Sequence, residues 1–125
     1  MRDIKFRGKD ILHKSWQYGS LAKDEPKKAY YIIDNEYGRG IDVDENTIGQ
    51  YTGLKDRNQV EIYEGDIVRK FNGIIGKVIY EHSEFIIDVT NNKKLDYGRL
   101  DLIENFVEVI GNIYDNPDLL EKESD

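Results

Sequence analysis

Apolar and polar residues alternate along this chain in short runs, and that period of two predicts strands rather than helices. Ile4-Lys5-Phe6-Arg7 alternates apolar with charged side chains. Ser15-Trp16-Gln17-Tyr18 places Trp16 and Tyr18 on one strand face. Ala29-Tyr30-Tyr31-Ile32-Ile33 is aromatic and β-branched, which suits a pleated, half-buried surface. Residues 10–14, the polar stretch 23–28 with Pro26, and residues 34–40 read as turns and loops between these runs. Further on, runs over 66–71 and 74–80 flank Asn72-Gly73, a strong short-range hairpin signal. His82-Ser83 turns into residues 84–90, where Phe85, Ile87 and Val89 share a face. Residues 91–94 turn again. Residues 95–104 are less regular, with Leu100, Leu102 and Ile103 expected in the core. A last strand spans 106–114, and Gly111 inside it suggests a bulge or bend. Asn116-Pro117-Asp118 is a helix start, capping residue then proline, and predicts a helix of about two turns.

The centre of the chain is denser. It reads Thr47-Ile48-Gly49-Gln50-Tyr51-Thr52-Gly53-Leu54-Lys55-Asp56, then Ile62-Tyr63-Glu64-Gly65-Asp66-Ile67-Val68. Glycines space out a few large apolar residues, as in tight β architecture with close backbone approach. Asp44 or Asn46 can cap a helical turn, but Gly49 follows too soon for a long helix. Residues 56–59 form a turn in which Asn58 is expected to take the left-handed conformation. The expected fold is therefore all-β, with one short C-terminal helix. An SH3-like barrel is expected from about 64 to 114, beside an N-terminal β unit. The division falls at 1–63 and 64–125, two parts able to pack as one compact domain.

Composition narrows the function. The chain has 125 residues and no cysteine, which removes disulfides, thiolate nucleophiles and Cys-based metal centres. No apolar run reaches the ~18 residues of a membrane span, and the N-terminus lacks a secretory signal's apolar stretch, so a cytoplasmic location is expected. The net charge is −7. Residues 1–43 hold nine Lys/Arg against seven Asp/Glu, and residues 44–125 nine against eighteen. Such acidity disfavours general nucleic-acid binding, which rests on neutralising phosphates, although a local basic patch could still contact it.

The central block, the C-terminal Val109-Ile110-Gly111-Asn112-Ile113-Tyr114-Asp115-Asn116-Pro117-Asp118-Leu119-Leu120 and the opening Met1-Arg2-Asp3-Ile4-Lys5-Phe6-Arg7 together resemble the YopX family. Its members are small proteins of bacteriophages and prophages, mostly of Gram-positive hosts. The resemblance implies such an origin here. The family often has glycine after the Lys/Arg-Asn pair of its central turn, where this chain has Gln59 after Arg57-Asn58. The family brings no established biochemical activity, so the resemblance transfers no catalytic residue.

The residues themselves suggest little chemistry. His13 and His82 are the only histidines and sit in separate turns. A metal site would need both, with carboxylates, to converge. Ser83 beside His82 would point to the opposite face of an extended strand. Glu64 and Asp66, near Glu61, share one face of an extended segment and could hold a proton or a divalent cation, but acids ending an element and capping a turn are the simpler reading. Gly49, Gly53 and Gly65 match no phosphate-binding loop. No catalytic, cofactor-binding or metal residue is assigned.

The candidate interaction surface comprises Trp16, Tyr30, Tyr31 and Tyr37 with Lys27, Lys28 and Arg39, the Gln50/Tyr51 region, and the tail pair Leu119-Leu120. The leading expectation is a non-enzymatic interaction module that forms a homo-oligomer and binds a host or phage protein. Contact is expected at the Tyr30–Ile33 strand or the tail. The alternatives are single-stranded nucleic-acid binding through the basic–aromatic face, and an acidic decoy that mimics nucleic acid toward a host protein.

Overall fold

The computed structural model describes residues 4–89, 99–101 and 106–121, with only the backbone of 99–101. The chain folds as two compact units, Met1–Gly53 and Leu54–Asp125. The expected boundary at 63/64 thus lies inside the second unit. The cause is packing: Leu54 and Ile62 join the apolar core of the later strands.

The first unit consists of β1 (Phe6–Lys9), β2 (Trp16–Asp24), β3 (Ala29–Ile33), β4 (Gly40–Val43), a 3-10 turn (Glu45–Thr47) and the first residues of β5 (Gly49–Lys55). The strand order is β4-β3-β2-β1-β5, antiparallel throughout. Register places Leu21, Ile32 and Ile41 side by side, and Tyr30 beside Val43. The sheet then closes on itself, because Asp10 bridges Val43 and Asp44 donates its N–H to the carbonyl of Lys9 at 2.9 Å. Ile32 and Val43 are buried. Space inside is tight: a Cβ on Gly8 would stand 3.0 Å from Val43, so glycine permits this approach.

The second unit begins with the end of β5, which turns through residues 56–60 into β6 (Glu61–Tyr63). A five-stranded antiparallel sheet follows, in the order β10-β9-β8-β7-β11. Its strands are β7 (Asp66–Lys70), β8 (Ile75–Glu81), β9 (Glu84–Asp88), β10 (Arg99–Asp101) and β11 (Val107–Asn112). Ile62, Val68, Val78, Ile87, Val89 and Val107 form its core. The register of β11 shifts between Val109 and Gly111, the bulge that Gly111 signalled.

A single helical turn, α1 (Asp118–Glu121), ends the described chain and lies against β8. The protein is mainly β with one short C-terminal helix, as its alternation predicted. Among the described residues no helix is long and apolar enough to cross a membrane. The expected core residues Leu102 and Ile103, the side chain of Leu100, and the turn at 91–94 lie outside what is described.

Candidate functional site

In the first unit, three segments converge on a cleft of about 430 Å³. The β1–β2 turn contributes Ile11 and Lys14. The β2–β3 turn and the start of β3 contribute Lys28, Ala29 and Tyr30. The end of β4 and the 3-10 turn contribute Asp42, Val43, Asp44, Glu45 and Asn46.

Each of the three segments is fixed by an aspartate. Asp10 Oδ1 accepts the N–H groups of Leu12 at 2.7 Å and His13 at 3.1 Å. The His13 N–H foremost, with that of Leu12 and the charges of His13 and Lys14, holds the Asp10 carboxyl below the ordinary aspartate range. Asp24 Oδ1 accepts from Lys27 N at 3.4 Å. Asp44 caps the 3-10 turn by accepting from Asn46 N at 3.0 Å, in line with the capping role expected for Asp44 or Asn46. Thr47 Oγ1 links that turn to β1 by accepting from Lys9 N at 2.9 Å. Lys14 and Lys28 both carry left-handed backbone, with φ of 60° and 54°. Neither makes an ion pair among the described residues.

The residues of the expected interaction surface do not form one face. Trp16 is half-buried, with the Arg7 guanidinium 4.6 Å and the Lys9 ammonium 5.5 Å from its ring centre. Lys23 stands 5.4 Å over Tyr30 and also pairs with Glu25 at 3.3 Å. Glu25 foremost, then Tyr30, raises the Lys23 pKa. Arg39 stands 5.4 Å over the exposed ring of Tyr37. Tyr31, half-buried, lies between Ala22 and Asp42 in register, so it alternates with Tyr30 across the sheet. Lys27 is exposed in the β2–β3 turn. Gln50 is half-buried opposite Phe6.

One residue of the expected surface is internal, and the two expected contact segments are engaged within the chain. Tyr51 is buried, under Lys5 at 5.1 Å, and offers no surface. In the Tyr30–Ile33 strand, expected at the contact, the backbone is hydrogen-bonded by β2 and β4 on its two sides. The tail is engaged within its own unit: Leu119 and Leu120 are half-buried, and Leu119 Cδ1 lies 3.0 Å from where a Cβ on Gly111 would stand.

The carboxylates of the central block serve the backbone. Asp66 is buried and its Oδ2 accepts from Tyr63 N at 2.8 Å, while Tyr63 Oη donates to Glu61 at 3.1 Å. Among the described residues no group of three or more His, Asp or Glu is placed to hold a metal ion. His82 is exposed, 3.6 Å from Glu81.

Among the described residues of the second unit the large exposed apolar side chains are Val60, Phe71, Tyr80 and Phe106. Phe71 follows Lys70 and Phe106 precedes Val107, and Lys70 pairs with Val107. The two rings therefore leave the same end of one ladder, at 78% and 72% exposure. Next to them Glu108 accepts from Arg69 Nη2 at 2.8 Å and Arg57 Nη2 at 3.0 Å. Arg69 foremost, with Arg57, holds the Glu108 carboxyl below its ordinary range. Sequence reading missed both this cluster and Lys14. Asp at the head of each turn was the available signal for the cleft, whereas Phe71 and Phe106 come to one ladder end only through a register that links distant segments.

A family model described as YopX protein matches residues 5–121. Among solved structures, the crystal structure of protein EF1440 from Enterococcus faecalis is similar, at 28% identity and a TM-score of 0.59, over 97% of this chain and 100% of that one. No curated protein matches.

Proposed function

The chain belongs to the YopX family, and from that premise we propose that it is a non-enzymatic, phage- or prophage-encoded module of the bacterial cytoplasm that works by protein association, including with copies of itself. One observation carries the reading: Phe71 and Phe106 leave one end of the β7–β11 ladder more than 70% exposed. Exposed rings are enriched where proteins meet, and paired aromatics make effective anchors. The Arg57–Glu108–Arg69 cluster beside them supplies a polar rim. Small barrel-like cores that leave such rings in water gain from covering them, and we read the second unit as SH3-like in proportion.

The nucleic-acid alternative is weakened by the cation–aromatic pairs. Trp16, Tyr30, Tyr37 and Tyr51 already carry the protein's own cations over their rings, Trp16 both Arg7 and Lys9. A stacking base would compete with that contact. The test of the proposal is the oligomeric state in solution. Association is expected for the wild-type chain, and its loss in Phe71→Asp/Phe106→Asp.

A further inference from the structure

The reading above makes no use of the cleft of the first unit. Its lining carries both signs of charge: Lys14 and Lys28 come from two turns, and Asp42, Asp44 and Glu45 from the end of β4 and the 3-10 turn. Tyr30, Ala29, Val43 and Ile11 supply apolar surface between them. A simple anion entering there meets carboxylates, and a simple cation meets ammonium groups. Only a ligand with both charges has favourable contacts throughout.

Size and backbone agree. A volume of about 430 Å³ lies within the range of small-molecule sites, roughly 300–1,000 Å³. Lys14 and Lys28 adopt positive φ, where glycine or asparagine would hold the same turn at lower cost. Two long cations at such positions, both lining one cleft and neither ion-paired among the described residues, are better explained by the charge they bring than by the turns they make.

We propose that this cleft binds a small zwitterion of the amino-acid type. Lys14 and Lys28 take its carboxylate, the acids at residues 42–45 take its ammonium group, and its apolar body lies against Tyr30 and Ile11. A free amino acid and a short peptide both present this chemistry.

The experiment is a titration of the isotopically labelled chain followed by amide NMR, with four probes. L-leucine and the dipeptide Ala-Leu carry both charges. N-acetyl-leucine lacks the ammonium group and leucinamide lacks the carboxylate. Saturable shifts at Lys14, Lys28 and Asp44 are expected with leucine or Ala-Leu, and whichever binds tighter identifies the source. Each capped analogue should bind about tenfold or more weakly, as loss of one charge-assisted contact requires. Capped analogues that bind equally well, or no saturable shift with any probe, overturn the proposal. Lys14→Gly/Lys28→Gly provides the control for folding. It relieves both left-handed positions, so its Tm should rise by a few degrees while binding is lost. Wild-type affinity in that variant would also overturn the proposal.

Discussion

Asp56 shows at the scale of one residue how this chain uses its acids. The side chain is buried. Its Oδ1 accepts from Asn58 N at 2.8 Å and Val60 N at 2.9 Å, and its Oδ2 from Val109 N at 2.9 Å. One carboxylate thus closes a turn and ties it to β11. The same local device recurs where Asp10, Asp34, Asp44, Asn72 and Asn112 accept a backbone N–H two residues on. Part of the acidity that reads from the sequence as surface charge is therefore turn chemistry. Asp56→Ala would leave three backbone N–H groups without their acceptor and should cost about 3 kcal/mol or more. Asp56→Asn should cost less, since the amide oxygen still accepts. Urea unfolding checks both, and a loss under ~1 kcal/mol for Asp56→Ala would contradict this assignment.

Two carboxyls also set a pH dependence. Asp10 and Glu108 are both depressed in the folded chain, by backbone N–H groups and by Arg69, respectively. A depressed folded pKa contributes stability that is complete above the unfolded pKa and is lost as pH falls through the folded value. Thermal melts should therefore show Tm falling below the ordinary carboxylate range. In Arg69→Gln, carboxyl NMR should find the Glu108 titration moved upward. An unmoved titration would show that Arg69 is not its principal partner.

Among the elements, the hairpins differ in how strongly their turn residues suit the turn. Asn72-Gly73 announces itself. Gly73 has φ of 90°, its N–H bonds to the Lys70 carbonyl, and Lys70 N–H bonds to that of Ile74, closing a three-residue loop. β3 likewise keeps the expected bounds, because an unbroken aromatic and β-branched run between two polar turns leaves no alternative. The turn at 56–60 differs in one detail. Its positive φ falls on Gln59 at 67°, not on Asn58, because the Asn58 N–H is already bonded to Asp56 and the reversal is completed one residue later.

The β8–β9 hairpin turns at His82-Ser83, where the sequence places a turn without glycine. Glu81 pairs with Glu84, leaving His82 and Ser83 as a two-residue loop with φ of 53° and 66°. Both central residues lie in the region that favours Asn-Gly. His82→Asn/Ser83→Gly should stabilise the chain by about 1 kcal/mol. A drop in Tm would show that this loop is not the strained element described. The cleft was less legible than any hairpin, since its three segments meet only through the closure of Asp10 on Val43, which has no local signal.

At the scale of the whole molecule, the closed first sheet changes how association can occur. β3 has neighbours on both sides and the first sheet closes at Asp10. In the second unit the backbone of β11 on the side away from β7 is engaged by Arg57 N–H at the Val107 carbonyl and by Asp56 at Val109 N. These devices protect strand margins from pairing with another chain. Association by exposed side chains remains open, and Phe71 and Phe106 are the side chains placed for it. The net charge of −7 opposes contact only weakly at cellular salt, where the screening length is about 8 Å. Sedimentation equilibrium across the micromolar range is the most direct measurement. The account predicts a concentration-dependent mass above 14.6 kDa for the wild-type chain, and a monomer for Phe71→Asp/Phe106→Asp with an unchanged melting transition. A wild-type chain that sediments as a 14.6 kDa monomer throughout that range would contradict it.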